Sequence, residues 1–165
     1  MERATRVEPD GENVLALEQQ VCFALSVAAR NVVAVYKPIL DPLGLTHPQY
    51  LVMLALWQHE PLSVRELSRL LQLDPGTLSP LLKRLESTGL VHRQRDPRDE
   101  RALAVSLTQR GRALREDAEQ VPPAVVDRLG MDVEELRALH AQLTRVIGVA
   151  QAALETDTAS NGSMP

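Results

Sequence analysis

The single cysteine of the chain, Cys22, carries the most nucleophilic side chain in the sequence. As a thiolate, a cysteine attacks a peroxide oxygen and becomes a sulfenic acid. One cysteine forms no intrachain disulfide and supplies no multi-cysteine zinc site. A free cysteine is more often a small buried apolar residue, so both a chemical and a packing role for Cys22 stay open at this point.

Small hydroxyl and cationic residues follow Asp74 at helical spacing, on the side opposite a row of leucines. These residues are Thr77, Ser79, Pro80, Lys83 and Arg84. Hydroxyls and backbone N–H groups at a helix N-terminus can bind phosphate, and lysine or arginine can contact phosphate or a guanine edge. We therefore predict a DNA-contacting helix, with an ordinary solvent-exposed face as the alternative. Because proline lacks an N–H, Pro80 requires either that the regular helix begins near Thr77 or that its first turn is irregular.

Arginines alternate with other residues after Val91, and a turn sequence interrupts the alternation at residues 96–100. This pattern predicts a β-hairpin with a charged tip. Arg93, Arg95 and Arg98 could reach a phosphate backbone or a narrow minor groove, with Arg98 at the tip. Asp96 and Arg101 bracket the tip, and we expect them to pair across the turn and hold its shape.

The charge distribution supports nucleic-acid binding although the net charge of the chain is −4. Residues 61–115 hold eleven Lys or Arg and six Asp or Glu, a net charge of +5, and the remaining residues carry −9. A basic segment between acidic ends is typical of nucleic-acid-binding domains. A solvated surface with many ion pairs is the alternative interpretation.

Helical periodicity places these residues on a mainly helical fold. A first helix is predicted from about Glu12 to Tyr36, where prolines should end it, and its apolar band is wide enough to suggest a subunit interface. A second helix is predicted over His47–His59. A capping box at Ser63 then begins a short helix, which a tight turn joins to the helix after Asp74. Two such helices followed by a hairpin predict a winged helix-turn-helix.

Two further helices complete the predicted domain organisation. Thr108 should cap one helix that breaks near Pro122-Pro123, and Asp132 with Glu135 should start the last one. We expect a flexible tail over 1–11 and a helical dimerisation region formed by 12–45 with 119–154. The winged helix-turn-helix should span 46–118, and a disordered tail 155–165.

Several classes of function are disfavoured by what the sequence lacks. His47, His59, His92 and His140 are scattered without ligand spacing, so we expect no metal, no cofactor and no enzymatic activity. The longest uninterrupted apolar run, Leu51–Trp57, is too short to span a membrane. Residues 1–13 lack the apolar segment of a signal peptide. A cytoplasmic protein without a membrane partner is therefore predicted.

Several sequence stretches resemble the MarR family of bacterial repressors, over about residues 12–154. The wing segments D-P-R-D-E-R and A-L-A-V-S-L-T carry the family resemblance. Four further stretches are similar to its organic hydroperoxide resistance regulators: C-F-A-L, Y-K-P-I-L, L-G-L-T-H-P-Q-Y-L-V-M-L-A-L-W and L-D-P-G-T-L-S-P-L-L-K-R-L-E. The resemblance implies an intertwined homodimer whose two winged helices bind a pseudo-palindromic operator in double-stranded DNA.

The same resemblance implies that Cys22 senses organic hydroperoxides and that its oxidation releases the operator. Tyr36 matches one of the family's thiol-stabilising tyrosines, whereas Ser26 stands where the family has another. Tyr36 could instead serve plain interface packing. With no second cysteine, a sulfenic acid at Cys22 would end as a mixed disulfide with a small thiol or as a sulfenamide. The alternative function is a repressor released by a small aromatic or anionic ligand, with Cys22 structural.

Overall fold

The computed structural model of this protein describes residues 15–96 and 99–161. These residues form two compact units, one ending at Leu114 and one beginning at Arg115. The elements are short 3-10 helices at Leu17–Gln19 and Asp41–Leu43, α1 (Val21–Leu40), α2 (His47–His59), β1 (Leu62–Ser63), α3 (Val64–Leu71), α4 (Pro75–Ser87), β2 (Val91–Asp96), β3 (Asp99–Leu107), α5 (Gln109–Ala118), α6 (Val121–Leu129) and α7 (Val133–Asn161). The fold is mainly helical with a small antiparallel sheet, as predicted.

Helix α1 differs from the predicted helix at both of its ends. It begins only at Val21, because Gln20 has an extended backbone and its side-chain amide donates to the Ala16 carbonyl at 3.1 Å. It then continues through Pro38, so the predicted break there was wrong. Proline has a helical φ and removes one backbone hydrogen bond. In the last turn this loss is tolerated, since the Asp41 N–H still bonds to the Lys37 carbonyl.

Helices α3 and α4 form the predicted helix-turn-helix. The capping box of α3 is confirmed: the Glu66 N–H donates to Ser63 Oγ at 3.1 Å, and the Ser63 N–H donates to the Glu66 carboxylate at 2.7 Å. The chain leaves α3 through Gln72, which has a left-handed φ of 53°. The Leu73 N–H then bonds back to the Ser68 carbonyl at 3.0 Å, which closes the helix end before α4 begins.

Strands β2 and β3 form the predicted hairpin, with Val91 opposite Leu107 and Arg93 opposite Val105. A third strand, β1, pairs with the other edge of β3, where Leu62 lies opposite Val105. The strand order is therefore β1-β3-β2. This third strand was not predicted, because two residues are too few for an alternating pattern.

Aliphatic residues of α2, α3, α4 and the sheet form the core of the first unit. Its fully buried members include Val52, Met53, Leu56, Leu67, Leu78, Leu82, Leu85, Val91 and Val105. Leu78, Leu82 and Leu85 of α4 are buried in this core, so the opposite side of that helix is free to face outward. The core therefore fixes which α4 side chains a ligand can reach.

Gly111 lets α5 approach this core closely. A Cβ at this position would lie 2.1 Å from the Leu90 carbonyl oxygen, well inside van der Waals contact. The Gly111 carbonyl accepts a hydrogen bond from the Trp57 indole at 2.8 Å, and its N–H donates to Thr108 Oγ1 at 3.0 Å. The predicted cap at Thr108 is thus confirmed.

The second unit contains the predicted break near the two prolines. Helix α5 ends at Ala118, and Pro122 and Pro123 lie in the first turn of α6, where a missing N–H costs little. The capping box of α7 is confirmed by the bonds between Asp132 and Glu135, of 2.9 and 2.8 Å. Helix α7 then runs to Asn161, seven residues into the tail for which disorder was predicted.

Helix α1 is apolar but almost entirely exposed within this single chain, with Leu40 as its buried residue. By length and composition alone, Val21–Leu43 is long and apolar enough to cross a membrane, with a hydropathy of 1.3. The sequence expectation missed this segment because Ser26, Arg30 and Asn31 interrupt its apolar run. Helix α7 also exposes apolar residues: Val133, Leu139, Val146, Ile147, Val149 and Leu154.

Candidate nucleic-acid interface and cysteine site

The outward side of α4 carries the predicted DNA-contacting residues. Thr77, Ser79, Pro80, Lys83 and Arg84 are all exposed. The helix begins at Pro75, capped by Asp74, whose carboxylate accepts the Thr77 N–H at 2.9 Å and the Thr77 hydroxyl at 2.6 Å. These hydrogen bonds hold the pKa of the Asp74 carboxyl below its usual value. The Thr77 hydroxyl hydrogen is therefore already used, and toward DNA this side chain can only accept.

Pro80 lies inside α4, in its second turn. The helix therefore starts two residues earlier than the Thr77 start that Pro80 suggested. The first turn is tight, because both the Thr77 and the Leu78 N–H bond to the Asp74 carbonyl, at 3.1 and 3.0 Å. Since Pro80 has no N–H, it cannot bond to the carbonyl of Gly76, four residues before it. The Gly76 carbonyl thus lacks the usual helical donor four residues later.

Arg93 is tied to α4. Its guanidinium donates two hydrogen bonds to the Glu86 carboxylate, at 3.0 and 2.6 Å, and its backbone N–H donates a third at 3.2 Å. These bonds hold the pKa of Glu86 below its usual value. Arg93 therefore joins the hairpin to α4, and its contact with DNA stays a prediction.

Of the remaining predicted hairpin residues, the structure describes the side chain of Arg95 but not those of Asp96, Arg98 and Arg101. Arg95 is exposed on β2, opposite Leu103. Arg98 lies outside the described residues, as do the side chains of Asp96 and Arg101, so the pairing across the turn stays a prediction. The register shifts between Arg95 and Asp96, which marks the start of the tip.

Two cations on α3 were missed by the sequence reasoning. Arg65 and Arg69 are exposed and flank a cavity of about 400 Å³ together with Glu66. Their spacing of four residues places them on one side of α3. The signal was present in the sequence, as a pair of arginines at helical spacing directly after a capping box. In a helix-turn-helix, the first helix crosses the DNA backbone, where such residues bind phosphate.

Cys22 is exposed in the first turn of α1. The Ser26 hydroxyl donates to the Cys22 backbone carbonyl at 2.8 Å, so its hydrogen is directed away from the sulfur of its own chain. The observed helix begins nine residues after the predicted start, which places Cys22 in the first turn of α1 and not near the middle of a longer helix.

Tyr36 lies near the other end of α1, within an aromatic cluster of the first unit. Its ring meets His47 edge-on at 4.9 Å between centroids and lies 6.1 Å from Tyr50, which contacts Trp57 at 6.4 Å. Burial raises the pKa of the Tyr36 and Tyr50 phenols and lowers that of the His47 imidazole. Near neutral pH the two phenols are therefore protonated donors.

A cavity of about 360 Å³ opens beside this cluster. Its wall combines apolar residues such as Val33 and Leu45 with Arg30, Lys37 and His47. Lys37 is paired with Asp41 at 3.1 Å. The cavity could accept a small molecule with an apolar body and a negative charge. Within residues 15–96 and 99–161, no three His, Cys, Asp or Glu residues cluster in a way that could hold a metal ion.

Comparison with known proteins decides the family. Residues 45–103 match the MarR family model. The organic hydroperoxide resistance transcriptional regulator of Bacillus subtilis (strain 168) is 43% identical over 129 residues, which cover 78% of this chain and 88% of that protein. The chain belongs to the MarR family. As a MarR-family protein it is a DNA-binding transcription regulator and not an enzyme.

Solved MarR-type structures agree with the fold. Reduced AbfR bound to DNA is 32% identical with a TM-score of 0.65, and covers 81% of this chain and 94% of its own; AbfR comes from Staphylococcus epidermidis. AbfR has also been solved overoxidised on DNA. The repressor CouR of Rhodococcus jostii RHA1, bound to a 23-mer DNA duplex, is 28% identical with a TM-score of 0.73, covering 79% and 94%. CouR has also been solved with p-coumaroyl-CoA.

Proposed function

We propose that this protein is a homodimeric repressor that releases its operator when an organic hydroperoxide oxidises Cys22. The observation that carries the proposal is the exposed thiol on α1, in a chain 43% identical to an organic hydroperoxide resistance regulator. The proposed location is the cytoplasm, where an unpaired thiol stays reduced until a peroxide reaches it.

The exposed apolar residues of α1 and α7 support the homodimer. An apolar helix that stays uncovered in a soluble protein favours association through that face. We assign residues 12–45 with 119–154 to the dimerisation region and residues 46–118 to DNA binding. In this arrangement two copies of α4 read two half-sites, while Lys83, Arg84 and Arg95 contact the phosphates or base edges.

The sensing site, in this proposal, is shared between two subunits. Tyr36 follows Cys22 by fourteen residues of one helix, which is roughly 21 Å at 1.5 Å per residue. A thiol cannot reach a phenol of its own chain over that distance. We infer that Tyr36 of one subunit donates a hydrogen bond to Cys22 of the partner subunit and stabilises its thiolate. Ser26, bonded to backbone, contributes little to this stabilisation.

Oxidation would act through the shared interface. The sulfenic acid at Cys22 would be converted to a mixed disulfide with a small thiol or to a sulfenamide. A new polar group without a partner in an apolar interface costs several kcal/mol. A change of about 5.5 kcal/mol moves a two-state equilibrium from 99:1 to 1:99, so the expected cost is of the size a switch needs. The two winged helix-turn-helix units of the dimer would then move apart or rotate.

The test is DNA binding with and without oxidant. The duplex is taken from upstream of the protein's own gene, and cumene hydroperoxide is the probe. We expect reduced wild type and Cys22→Ser to bind equally, and only wild type to be released after oxidation and to regain binding with dithiothreitol. Release of Cys22→Ser at the same oxidant dose, or retention of wild type with a fully modified thiol, would overturn the proposal.

The second candidate function is a repressor released by a small aromatic or anionic ligand, with Cys22 structural. The cavity of about 360 Å³ beside Arg30 and Lys37 favours this candidate. The same duplex assay distinguishes the two functions. Release by an aromatic carboxylate such as salicylate, with an unmodified Cys22 in the mass spectrum, would support the ligand-sensing function.

A further inference from the structure

We propose that Thr77 is a specificity-determining residue of the DNA interface: Asp74 holds its hydroxyl oxygen as a hydrogen-bond acceptor, which selects a base with an amino group in the major groove. This role rests on the proposed function, in which two copies of α4 face two half-sites of the operator. It adds to that function the class of base that one side chain reads.

Two hydrogen bonds fix the Thr77 side chain against the start of its own helix. The Asp74 carboxylate accepts the Thr77 N–H at 2.9 Å and the Thr77 hydroxyl at 2.6 Å. The shorter distance lies in the range of charge-assisted bonds from a hydroxyl to a carboxylate. These bonds keep the pKa of Asp74 below its usual value, so the carboxylate stays charged near neutral pH. Because the hydroxyl hydrogen is committed to Asp74, the exposed Thr77 oxygen offers a ligand its lone pairs alone.

The start of α4 is poorly suited to a phosphate. A phosphate oxygen needs a hydrogen-bond donor and carries a charge of the same sign as Asp74. Pro75, the first residue of the helix, has no N–H. The N–H groups of Thr77 and Leu78 are already bonded to Asp74. The cation Lys83 lies six residues after Thr77, roughly 9 Å further along the helix, so we expect phosphate contacts there and a base edge at Thr77.

Small residues let this part of α4 approach a base edge. Gly76 precedes Thr77 and Ser79 follows it, and all three are exposed. Gly76 also leaves room for the capping carboxylate, because a Cβ at this position would lie 2.9 Å from Asp74 Oδ1. The recognition helix of a helix-turn-helix contacts base edges with its N-terminal residues, which is where Thr77 lies.

The four bases differ in what they offer an acceptor in the major groove. Adenine presents its N6 amino group and cytosine its N4 amino group, whereas guanine and thymine present only acceptor atoms on that edge. An acceptor-only hydroxyl gains a hydrogen bond from adenine or cytosine and leaves acceptors unpaired on guanine or thymine. Each half-site should therefore hold an adenine or a cytosine at the position facing Thr77.

The experiment measures base preference with the reduced protein and without oxidant, so it does not depend on the redox switch. Wild type selects a duplex from random sequences, and every base pair is then exchanged symmetrically in both half-sites. Fluorescence anisotropy gives dissociation constants for wild type, Thr77→Val, Thr77→Ser and Asp74→Asn. The control Thr88→Val removes an exposed hydroxyl at the other end of α4, which bonds to main-chain carbonyls. Circular dichroism and urea unfolding check the fold of each variant.

We expect wild type, Thr77→Ser and Thr88→Val to prefer adenine or cytosine by about tenfold at one symmetric pair of positions, about threefold per half-site for one hydrogen bond. Thr77→Val should lose this preference at that pair alone, because valine keeps the shape of threonine without its hydroxyl. In Asp74→Asn the amide oxygen still accepts the Thr77 N–H and the amide N–H₂ donates to the Thr77 oxygen. The hydroxyl hydrogen then turns toward the DNA, and the preference should move to guanine or thymine.

Four results would overturn the inference. An equal loss of affinity for every duplex in Thr77→Val would indicate a phosphate contact, and no change in that variant would mean that Thr77 does not contact the DNA. Loss of the preference in Thr77→Ser would assign it to the methyl group. An unchanged preference in Asp74→Asn would contradict the control of the hydroxyl by Asp74.

Modified bases keep the test decisive if Thr77→Val does not fold. Purine in place of adenine, or 2-pyrimidinone in place of cytosine, lacks the amino group and should cost wild type about tenfold in affinity; no loss at any position would overturn the inference. Lys83→Gln separates this role from the proposed function. If Lys83→Gln weakens binding and Thr77→Val does not, only the role of Thr77 fails. If neither variant changes DNA binding, the assignment of α4 to DNA in the proposed function fails.

Discussion

Replacing Arg93 and Lys83 separately should distinguish a cation that holds the fold from one that binds DNA. Arg93 gives two guanidinium hydrogen bonds and one backbone hydrogen bond to Glu86, and about 29% of its side chain is exposed. Lys83 is exposed on the outward side of α4. We expect the salt dependence of DNA binding to change for Lys83→Gln and not for a charge-neutral replacement of the pair, Glu86→Gln with Arg93→Gln.

The expected magnitudes follow from this geometry. Each phosphate contact contributes about 0.9 to the slope of log K against log salt, so two copies of Lys83 in a dimer contribute about 2. The Glu86–Arg93 double replacement should leave the slope within about 0.5 of wild type. It should instead lower the free energy of unfolding by about 1–2 kcal/mol, because a partly exposed ion pair with several hydrogen bonds lies between a surface ion pair and a buried one.

Fluorescence anisotropy with a labelled operator duplex from 50 to 300 mM KCl would measure the slope, and urea unfolding would measure the stability. The double replacement is needed because Arg93→Gln alone would leave the Glu86 carboxylate facing the DNA and repel it. A slope that falls as far for the double replacement as for Lys83→Gln would refute the reasoning and return Arg93 to the DNA-contacting residues.

Two further predictions concern the stability of the DNA-binding unit. Gly111→Ala places a Cβ 2.1 Å from the Leu90 carbonyl oxygen and should destabilise the protein by more than about 3 kcal/mol in urea unfolding. The control Gly148→Ala, whose Cβ would have nothing within 4 Å, should be neutral or stabilising. Equal effects of the two substitutions would contradict the close approach of α5. The ionised Asp74 stabilises the fold above its usual pKa of 3.8 and loses this effect as pH falls through its lower folded value. The melting temperature of wild type should therefore drop more steeply below pH 4 than that of Asp74→Asn, which keeps a capping oxygen but does not titrate; parallel curves would count against this cap.

Features set by neighbouring residues could be predicted from the sequence. The capping box at Ser63 and the helix over His47–His59 depend on side chains within one or two turns, and both are found where they were expected. The hairpin itself also followed from local alternation, although its register did not. Gln20 shows the limit: its side-chain amide, and not its backbone N–H, bonds to the Ala16 carbonyl, and α1 begins nine residues after the predicted start.

Features that join distant parts of the chain could not be predicted in this way. Strand β1 is two residues long and pairs with β3 some forty residues later, so no periodic pattern in the sequence predicts it. The bond from Arg93 to Glu86 crosses from the hairpin to α4, and the alternation of the hairpin residues gives no sign of it. The approach of Tyr36 to His47 likewise depends on the turn between two helices.

Because α1 leaves an apolar face uncovered, the stability of the folded chain depends on the concentration of the protein itself. In the proposed homodimer a second copy covers the apolar side of α1, so association stabilises the fold and dilution should lower the melting temperature. A regulator present at a few copies per cell therefore needs a dimer with a low dissociation constant. A newly made chain is exposed to proteases and chaperones until it binds a second copy. A low cellular concentration of the protein thus selects for high affinity between its two copies.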